Sequence, residues 1–216
     1  MDTADNREEL AAWHGSPSHR HDGAPRAAVR IRTAGPEDAA ALARVAAVTF
    51  PLACPPHVTA EAIADFIAGN LSEARFDAYL VDPARQLLLA EVGGETEVGG
   101  EGGVDAAAAG YAMVVHAAPS DPDVLTAIGG APTTELSKLY VVPGHHGSGI
   151  AGELMDAAIA LAVAHGSPSI WLGVNQENLR ANRFYAKHGF EIAGLKRFLV
   201  GDRYEEDWVR VRELGD

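Results

Sequence analysis

The stretch from Thr134 to Gly152 constrains the fold of this chain more than any other part of the sequence. It begins with a β-prone apolar run that Pro143 ends. Clustered glycines follow, and apolar residues then recur at helical spacing until Gly166 and Pro168. The apolar run comprises Leu136, Leu139, Tyr140, Val141 and Val142, and the glycines are Gly144, Gly147 and Gly149. The sequence therefore predicts a strand, a glycine-rich turn and a helix.

A glycine-rich turn that leads into a helix is typical of an anion site, most often for phosphate. Glycine permits positive φ, and the first turn of a helix carries free N–H groups and a partial positive charge. The stretch lacks the Gly-Lys-Ser/Thr ending of a P-loop, but Gly147, Gly149 and Gly152 fit the dinucleotide pattern G-x-G-x-x-G. The glycines alone leave open a phosphate site, a dinucleotide site and a turn without any ligand.

Length and charge bound the class of protein. The chain has 216 residues, which is enough for one domain with a full core, and its net charge is −13. Such a charge disfavours nucleic acid as a partner and favours a cationic substrate, although an acidic surface can also serve solubility alone. The single cysteine, Cys54, excludes a disulfide framework, and no apolar run is long enough to cross a membrane. With a polar N-terminus, these features predict a cytoplasmic protein.

The N-terminal segment differs in composition from the rest. Residues 1–27 are polar and contain His14, His19 and His21 at irregular spacing. Three histidines can bind a metal, but a disordered tail is the simpler interpretation, because nothing in the segment can form a core. We therefore predict a tail over residues 1–27 and one domain over residues 28–216.

The remaining elements follow from periodicity and from glycine and proline. Strands are predicted at 28–33, 86–92, 109–116 and 169–175, and an antiparallel pair at 190–200 and 204–214. Helices are predicted from Gly35 to the break at Pro51, and at 57–69, 72–81 and 178–188, with loops at 93–103 and 117–133. The strand at 169–175 is nearly all apolar, which suits a parallel neighbour of the central strand in a βαβ unit, with ligands at the carboxyl ends.

Three ordered motifs carry a family resemblance. They are Leu139-Tyr140-Val141-Val142-Pro143, then His146-Gly147-Ser148-Gly149-Ile150-Ala151, then Asn178-x-x-Ala181-x-x-Phe184-Tyr185-x-x-x-Gly189-Phe190. The set resembles the GNAT superfamily of N-acetyltransferases over roughly residues 28–214. The resemblance implies an α/β (α+β) fold of the GNAT type, in which a mixed central sheet contains a parallel βαβ unit for acetyl-CoA and is flanked by helices.

The resemblance also implies which residues bind acetyl-CoA as the acetyl donor. The backbone of the glycine turn would hold the pyrophosphate, and the strand edge at Leu139, Tyr140 and Val141 would pair with the pantetheine arm. The turn residues are His146, Gly147, Ser148, Gly149, Ile150, Ala151 and Gly152. His146 stands where the family usually has Gln or Arg, which affects only that side chain's phosphate contact.

Catalytic roles follow from the same resemblance. Glu135 stands where several family members place a general base, and Tyr185 matches the tyrosine that serves as general acid and borders the cofactor. Asn178 matches a residue that caps a helix or contacts the cofactor arm. Each has a plainer alternative: a solvent-facing carboxylate for Glu135, aromatic packing beside Phe184 for Tyr185, and helix capping alone for Asn178.

Several further residues are candidates for a site. His145 and His146 are adjacent, which is poor ligand spacing, so we predict no metal site. Cys54 can be a nucleophile, but a small buried residue is the simpler interpretation. An acidic cluster near the end of the chain can line an amine site, but a solvated turn is the simpler account. That cluster consists of Asp202, Glu205, Glu206 and Asp207.

The acceptor is the least constrained part of the prediction. The C-terminal part, from Ile170 onward, is similar to the bacterial spermidine/spermine N-acetyltransferase branch of the superfamily, so a polyamine is the leading acceptor. Protein or peptide amines, antibiotics, and an acyl-CoA-binding sensor without turnover are the alternatives. The family also contains many homodimers, so a homodimer is an open expectation here.

Overall fold

A computed structural model describes residues 28–93, 107–145, 147–200 and 203–215. The predicted tail over 1–27, nearly all of the predicted loop at 93–103, and the predictions for His146 and Asp202 lie outside these residues.

Seven strands and six helices make up the described part of the chain. The strands are β1 (Ala28–Thr33), β2 (Arg85–Gly93), β3 (Ala107–Val115), β4 (Thr134–Val141), β5 (Ser169–Asn175), β6 (Glu191–Val200) and β7 (Arg203–Glu213). The helices are α1 (Ala39–Ala53), which a short 3-10 turn (Pro36–Asp38) precedes, α2 (Ala60–Asn70), α3 (Glu73–Leu80), α4 (Pro122–Ile128), α5 (Ile150–Ala164) and α6 (Leu179–Lys187).

The strands form one mixed sheet in the order β1-β2-β3-β4-β5-β7-β6. Neighbours are antiparallel except β4 and β5, which are parallel and are joined through α5. This confirms the mixed α/β fold with a βαβ unit at its centre. One buried cluster joins α5 to the sheet, and a second joins α1 and α3 to strands β2 and β3. Helix α5 therefore packs on the sheet through one core cluster, and helices α1 and α3 pack on it through the other.

The predicted break at Pro51 is wrong, because α1 continues through it to Ala53. Proline lacks a backbone N–H and normally interrupts a helix. Here the last turn is held by packing: Phe50 is buried, and its ring stacks on Phe66 with 4.5 Å between ring centroids. The helix therefore ends only a few residues before Pro55.

The predicted loop at 117–133 contains the short helix α4. The Asp121 carboxylate caps it by accepting a backbone N–H of the first turn at 2.9 Å, and Pro122 occupies the first position, where proline is tolerated. Val124 is fully buried against Trp171 and Val209. The proline and glycine content suggested a loop, but one well-capped turn with a single anchor is sufficient for a helix.

Candidate active site

The parallel strands β4 and β5 pair at only two positions. Thr134 lies opposite Ile170 and Glu135 lies opposite Trp171, and no further pairing between the two strands occurs in the described residues. Their outer edges remain paired along the sheet, β4 with β3 and β5 with β7. The facing edges of β4 beyond Glu135 and of β5 beyond Trp171 therefore border an open gap.

A one-residue bulge in β4 lies where the gap opens. Met113 of β3 pairs with Lys138, whereas the next residue, Val114, pairs with Leu136, so Ser137 is the extra residue. A bulge bends the strand that carries it and redirects the following side chains. The bulge therefore bends β4 at the position where it diverges from β5.

The glycine turn lies beyond the end of β4. Gly144, Gly147 and Gly149 have φ values of 94°, 85° and 99°, which L-residues with side chains rarely adopt. The helix α5 begins directly after Gly149, so the free N–H groups of its first turn face the turn. The Ile150 side chain is buried in the core, so only its backbone can contact a ligand. Positive φ at these glycines, directly before a helix N-terminus, is a feature that anion sites share.

A cavity of about 470 Å³ occupies the gap and the space beneath α1. Of the residues predicted for the site, it is lined by Glu135, Leu139, Tyr140, Val141, Ala151, Asn178 and Tyr185. Gly147, Ser148, Gly149, Ile150 and Gly152 form the turn and the start of α5 and are outside the cavity wall. The structure thus brings the predicted strand edge, general base and general acid to one cavity.

Glu135 is half-buried at the narrow end of the gap. Within the described residues its carboxylate receives no hydrogen bond and forms no ion pair. Lys138 lines the same cavity; burial lowers the pKa of its ammonium to about 8, and the charge of Glu135 opposes that shift. The carboxylate is therefore available to a ligand and has a cation in its neighbourhood.

Tyr185 lies on α6 among aromatic side chains. Its ring packs edge-on against Phe184 at 5.5 Å and Phe190 at 6.1 Å between centroids. Burial raises the pKa of its hydroxyl to about 12, so the phenol keeps its proton at neutral pH. Packing and acid chemistry are thus compatible in one side chain.

Asn178 caps α6. Its Oδ1 accepts a hydrogen bond from the Ala181 N–H at 3.0 Å, and the same side chain lines the cavity. The capping contact accounts for an asparagine at this position without any ligand. The location on the cavity wall also permits a ligand contact through the remaining amide group.

The acidic residues of β7 are not a solvated turn, which corrects the simpler account of them. Asp207 is only 8% exposed and lines the cavity. Glu205 also lines it, and its Oε1 lies 2.7 Å from His57 Nε2 in the segment before α2. Glu206, between them, is exposed. No polar/apolar alternation in 204–209 signals this arrangement, which follows from the register of β7 against β5.

Cys54 also lines the cavity. Its Sγ–H donates to the Phe50 carbonyl at 3.4 Å, and burial raises the pKa of the thiol to about 11. A thiol that stays protonated at neutral pH is a poor nucleophile. These features favour the interpretation of Cys54 as a small packed residue.

Metal-ligand clusters and membrane-spanning helices are both absent from the described ranges. No His, Cys, Asp and Glu side chains there form a group of three that could hold a metal ion. Nor is any helix in those ranges long and apolar enough to cross a membrane.

Curated relatives match most of this chain. An uncharacterized N-acetyltransferase of Mycobacterium tuberculosis is 48% identical over 177 residues, which cover 82% of this chain and 98% of the relative. An uncharacterized N-acetyltransferase of Mycobacterium bovis matches equally well.

Solved structures share the fold at low identity. The PaiA N-acetyltransferase of Thermoplasma acidophilum, solved in complex with coenzyme A, has a TM-score of 0.64 at 19% identity and covers 86% of this chain and 99% of its own. The ribosomal-protein-S18-alanine N-acetyltransferase of Escherichia coli has a TM-score of 0.58 at 17% identity, covering 88% and 96%. At these identities the likeness supports the fold alone.

A family model decides the assignment. The model of the acetyltransferase (GNAT) family matches residues 55–190, a region that contains the gap, the glycine turn and α6. Together with the relatives of 48% identity, this match shows that the chain belongs to the GNAT family of acetyltransferases.

Proposed function

We propose that the protein transfers an acetyl group from acetyl-CoA to a primary amine by direct attack in a ternary complex. The observation that carries the proposal is the open gap between β4 and β5. One cavity there joins an unpaired strand edge to a candidate base, Glu135, and a candidate acid, Tyr185.

The donor side of the gap fits acetyl-CoA, which supplies an acetyl group activated as a thioester. Backbone groups of β4 from Leu139 to Val141 have no partner strand on the β5 side among the described residues, so they can pair with the amides of an extended arm. The glycine turn and the N-terminus of α5 can hold a pyrophosphate. The phosphate end and the thioester end of the donor would then lie at opposite ends of the strand edge.

Glu135 is the candidate base that removes a proton from the acceptor ammonium. An alkyl ammonium with a pKa near 10.4 requires roughly 4–5 kcal/mol to lose its proton at pH 7. The Glu135 carboxylate, which accepts no other hydrogen bond among the described residues, can take that proton directly or through water. The nitrogen lone pair then forms the new C–N bond as the C–S bond breaks.

Tyr185 is the candidate acid that protonates the leaving thiolate. Burial raises the pKa of its hydroxyl to about 12, which makes it a weaker acid than a free phenol, and Tyr185 holds its proton at Oη throughout the neutral range. It can donate this proton to the departing thiolate, which then leaves as a thiol. Base and acid thus act on different atoms of the reaction, and neither has to change its role within one turnover.

A polyamine remains the leading acceptor. The net charge of −13 attracts a polycation over long range, and Glu205 and Asp207 place two carboxylates on the cavity wall. Protein amino groups and antibiotics are the alternatives, since a ribosomal-protein-S18-alanine N-acetyltransferase and a nourseothricin acetyltransferase share the fold.

Initial-rate kinetics with both substrates varied test the direct-attack mechanism. We expect intersecting double-reciprocal lines, because both substrates must be bound before acetyl transfer. Parallel lines would instead indicate an acetylated enzyme intermediate, and Cys54→Ser would then identify whether the cavity thiol carries it.

A further inference from the structure

Asp207 is a buried carboxylate that faces the cavity without a partner. It is 8% exposed, and no hydrogen bond or ion pair reaches its side chain from any described residue. Gly173 of β5 lies nearby: a Cβ added there would lie 3.2 Å from Lys196 Cε and 3.5 Å from Asp207 Oδ2. The glycine therefore leaves room for the side chains of Lys196 and Asp207, which both line the cavity.

The nearest cation does not neutralise Asp207 by contact. Lys196 is the cross-strand neighbour on β6, but its Nζ lies 3.9 Å from Asp121 Oδ2 and 5.8 Å from the Trp171 ring centroid. Burial raises the pKa of Asp207 to about 6; the positive charge of Lys196 opposes this shift, and the negative charge of Glu205 adds to it. A buried carboxylate without a contact partner costs folding free energy, and a bound cation would offset that cost.

Asp207 and Glu135 are located at opposite ends of the gap. Glu135 lies opposite Trp171 at the narrow end, whereas Asp207 lies opposite Asn175, four residues further along β5. That offset is roughly 13 Å along the strand, and β4 and β7 are separated by two strand spacings, on the order of 10 Å. At this separation the two carboxylates can contact different nitrogen atoms of one elongated ligand.

We propose that Asp207 binds a second ammonium group of the acceptor, so that the enzyme selects elongated diamines or polyamines over monoamines. Glu205, fixed by His57 on the same face of β7, adds negative charge beside that position. The reacting amine would lie near Glu135 and Tyr185, and the distal ammonium near Asp207. This inference rests on the proposed acetyl transfer to an amine and adds the acceptor class and the residue that selects it.

The test compares acceptors that differ only in the distal charge. Linear α,ω-diamines of increasing length are compared with amino alcohols of equal length, by kcat/KM and by calorimetric binding to the protein loaded with coenzyme A. We expect the wild-type protein to prefer long diamines by roughly ten- to a hundred-fold, which is the effect of one charge-assisted hydrogen bond. Asp207→Asn should remove the preference by weakening diamine binding, while the amino alcohols change little.

The control variant is Glu206→Gln, which removes an exposed acid from the neighbouring position on β7. It should keep the diamine preference. A folded Asp207→Asn protein that still prefers diamines, or a wild-type protein that treats both acceptor series equally, would overturn the inference. If amines are acetylated without any preference for diamines, only the Asp207 site is contradicted. If diamines bind through Asp207 but are not acetylated, only the proposed function is contradicted.

Discussion

Glu135 of β4 and Trp171 of β5 form the last paired position between the two central parallel strands. Beyond this pair β4 extends to Val141 and β5 to Asn175 without further pairing to each other. The pair therefore closes the narrow end of the gap and places a carboxylate there. The other residues of β4 and β5 on the cavity wall lie beyond this pair, toward the open end of the gap.

Replacing Gly149 by Ala should weaken coenzyme A binding. Gly149 has a φ of 99° directly before α5, so a side chain there strains the turn that presents the N–H groups. The matched control is Gly166→Ala, at a φ of 78° just after the other end of α5. Both variants should lose stability, on the order of 1 kcal/mol or more. Calorimetry should show reduced coenzyme A affinity only for Gly149→Ala, and equal affinities in the two variants would remove the turn from the donor site.

Tyr185→Phe should lower kcat while coenzyme A affinity stays close to wild type. The variant keeps the ring packing against Phe184 and Phe190 but removes the proton that we assign to the leaving thiolate. A positioned acid typically contributes on the order of 100-fold or more. Tyr204→Phe, at an exposed tyrosine of β7, is the control and should leave kcat unchanged. Steady-state kinetics in which both variants behave alike would exclude Tyr185 as the acid.

Glu135→Gln should reduce the rate most at low pH. Free amine is scarce there, so the reaction depends most on a group that accepts the ammonium proton. At high pH the fraction of neutral amine rises, and the difference from wild type should shrink. The pH–rate profile of kcat/KM is the measurement, and a profile of unchanged shape in a folded variant would rule out Glu135 as the base.

Asp207→Asn should stabilise the ligand-free protein at pH 8. Because burial raises the pKa of Asp207 to about 6 from an ordinary 3.8, its charged form is disfavoured in the fold. The destabilising contribution is complete above about pH 6 and disappears as pH falls below 4, where the carboxyl is protonated in both states. Its size at pH 8 is on the order of 2–3 kcal/mol.

Urea unfolding of wild type and Asp207→Asn at several pH values measures this contribution. The difference in free energy of unfolding should grow from pH 4 to pH 7 and then stay constant. Glu206→Gln should show no such pH-dependent gain, because that side chain is exposed. A variant that is less stable than wild type at pH 8 would mean that Asp207 has a stabilising partner in the fold.

The sequence predicted the parts of the fold that depend on local pattern. The order of β4, the glycine turn and α5 followed from apolar spacing and glycine position, and the parallel pairing with β5 followed from its continuous apolar run. Helix α4 and the passage of α1 through Pro51 were missed. Both depend on tertiary contacts, of Val124 with Trp171 and of Phe50 with Phe66, which local propensity does not contain.

Only those site residues that belong to local sequence motifs were predicted. Glu135 and Tyr185 were predicted through motif resemblance, and the structure places both on one cavity. The inward position of Asp207 was not predicted, because it depends on the register of β7 against β5, which pairs Asp207 with Asn175. A one-residue shift in that register would reverse the face of every side chain on β7.

Turnover of acetyl-CoA with a panel of amines tests the proposed acetyl transfer itself. Free thiol release is followed with polyamines, amino acids, aminoglycosides and peptides as acceptors, and the acetylated product is identified by mass. The proposed transfer predicts thiol release that depends on an amine, is strongest with long diamines or polyamines, and falls in Tyr185→Phe. Tight coenzyme A binding without amine-dependent thiol release for any acceptor would contradict it and would favour an acyl-CoA-binding protein without turnover.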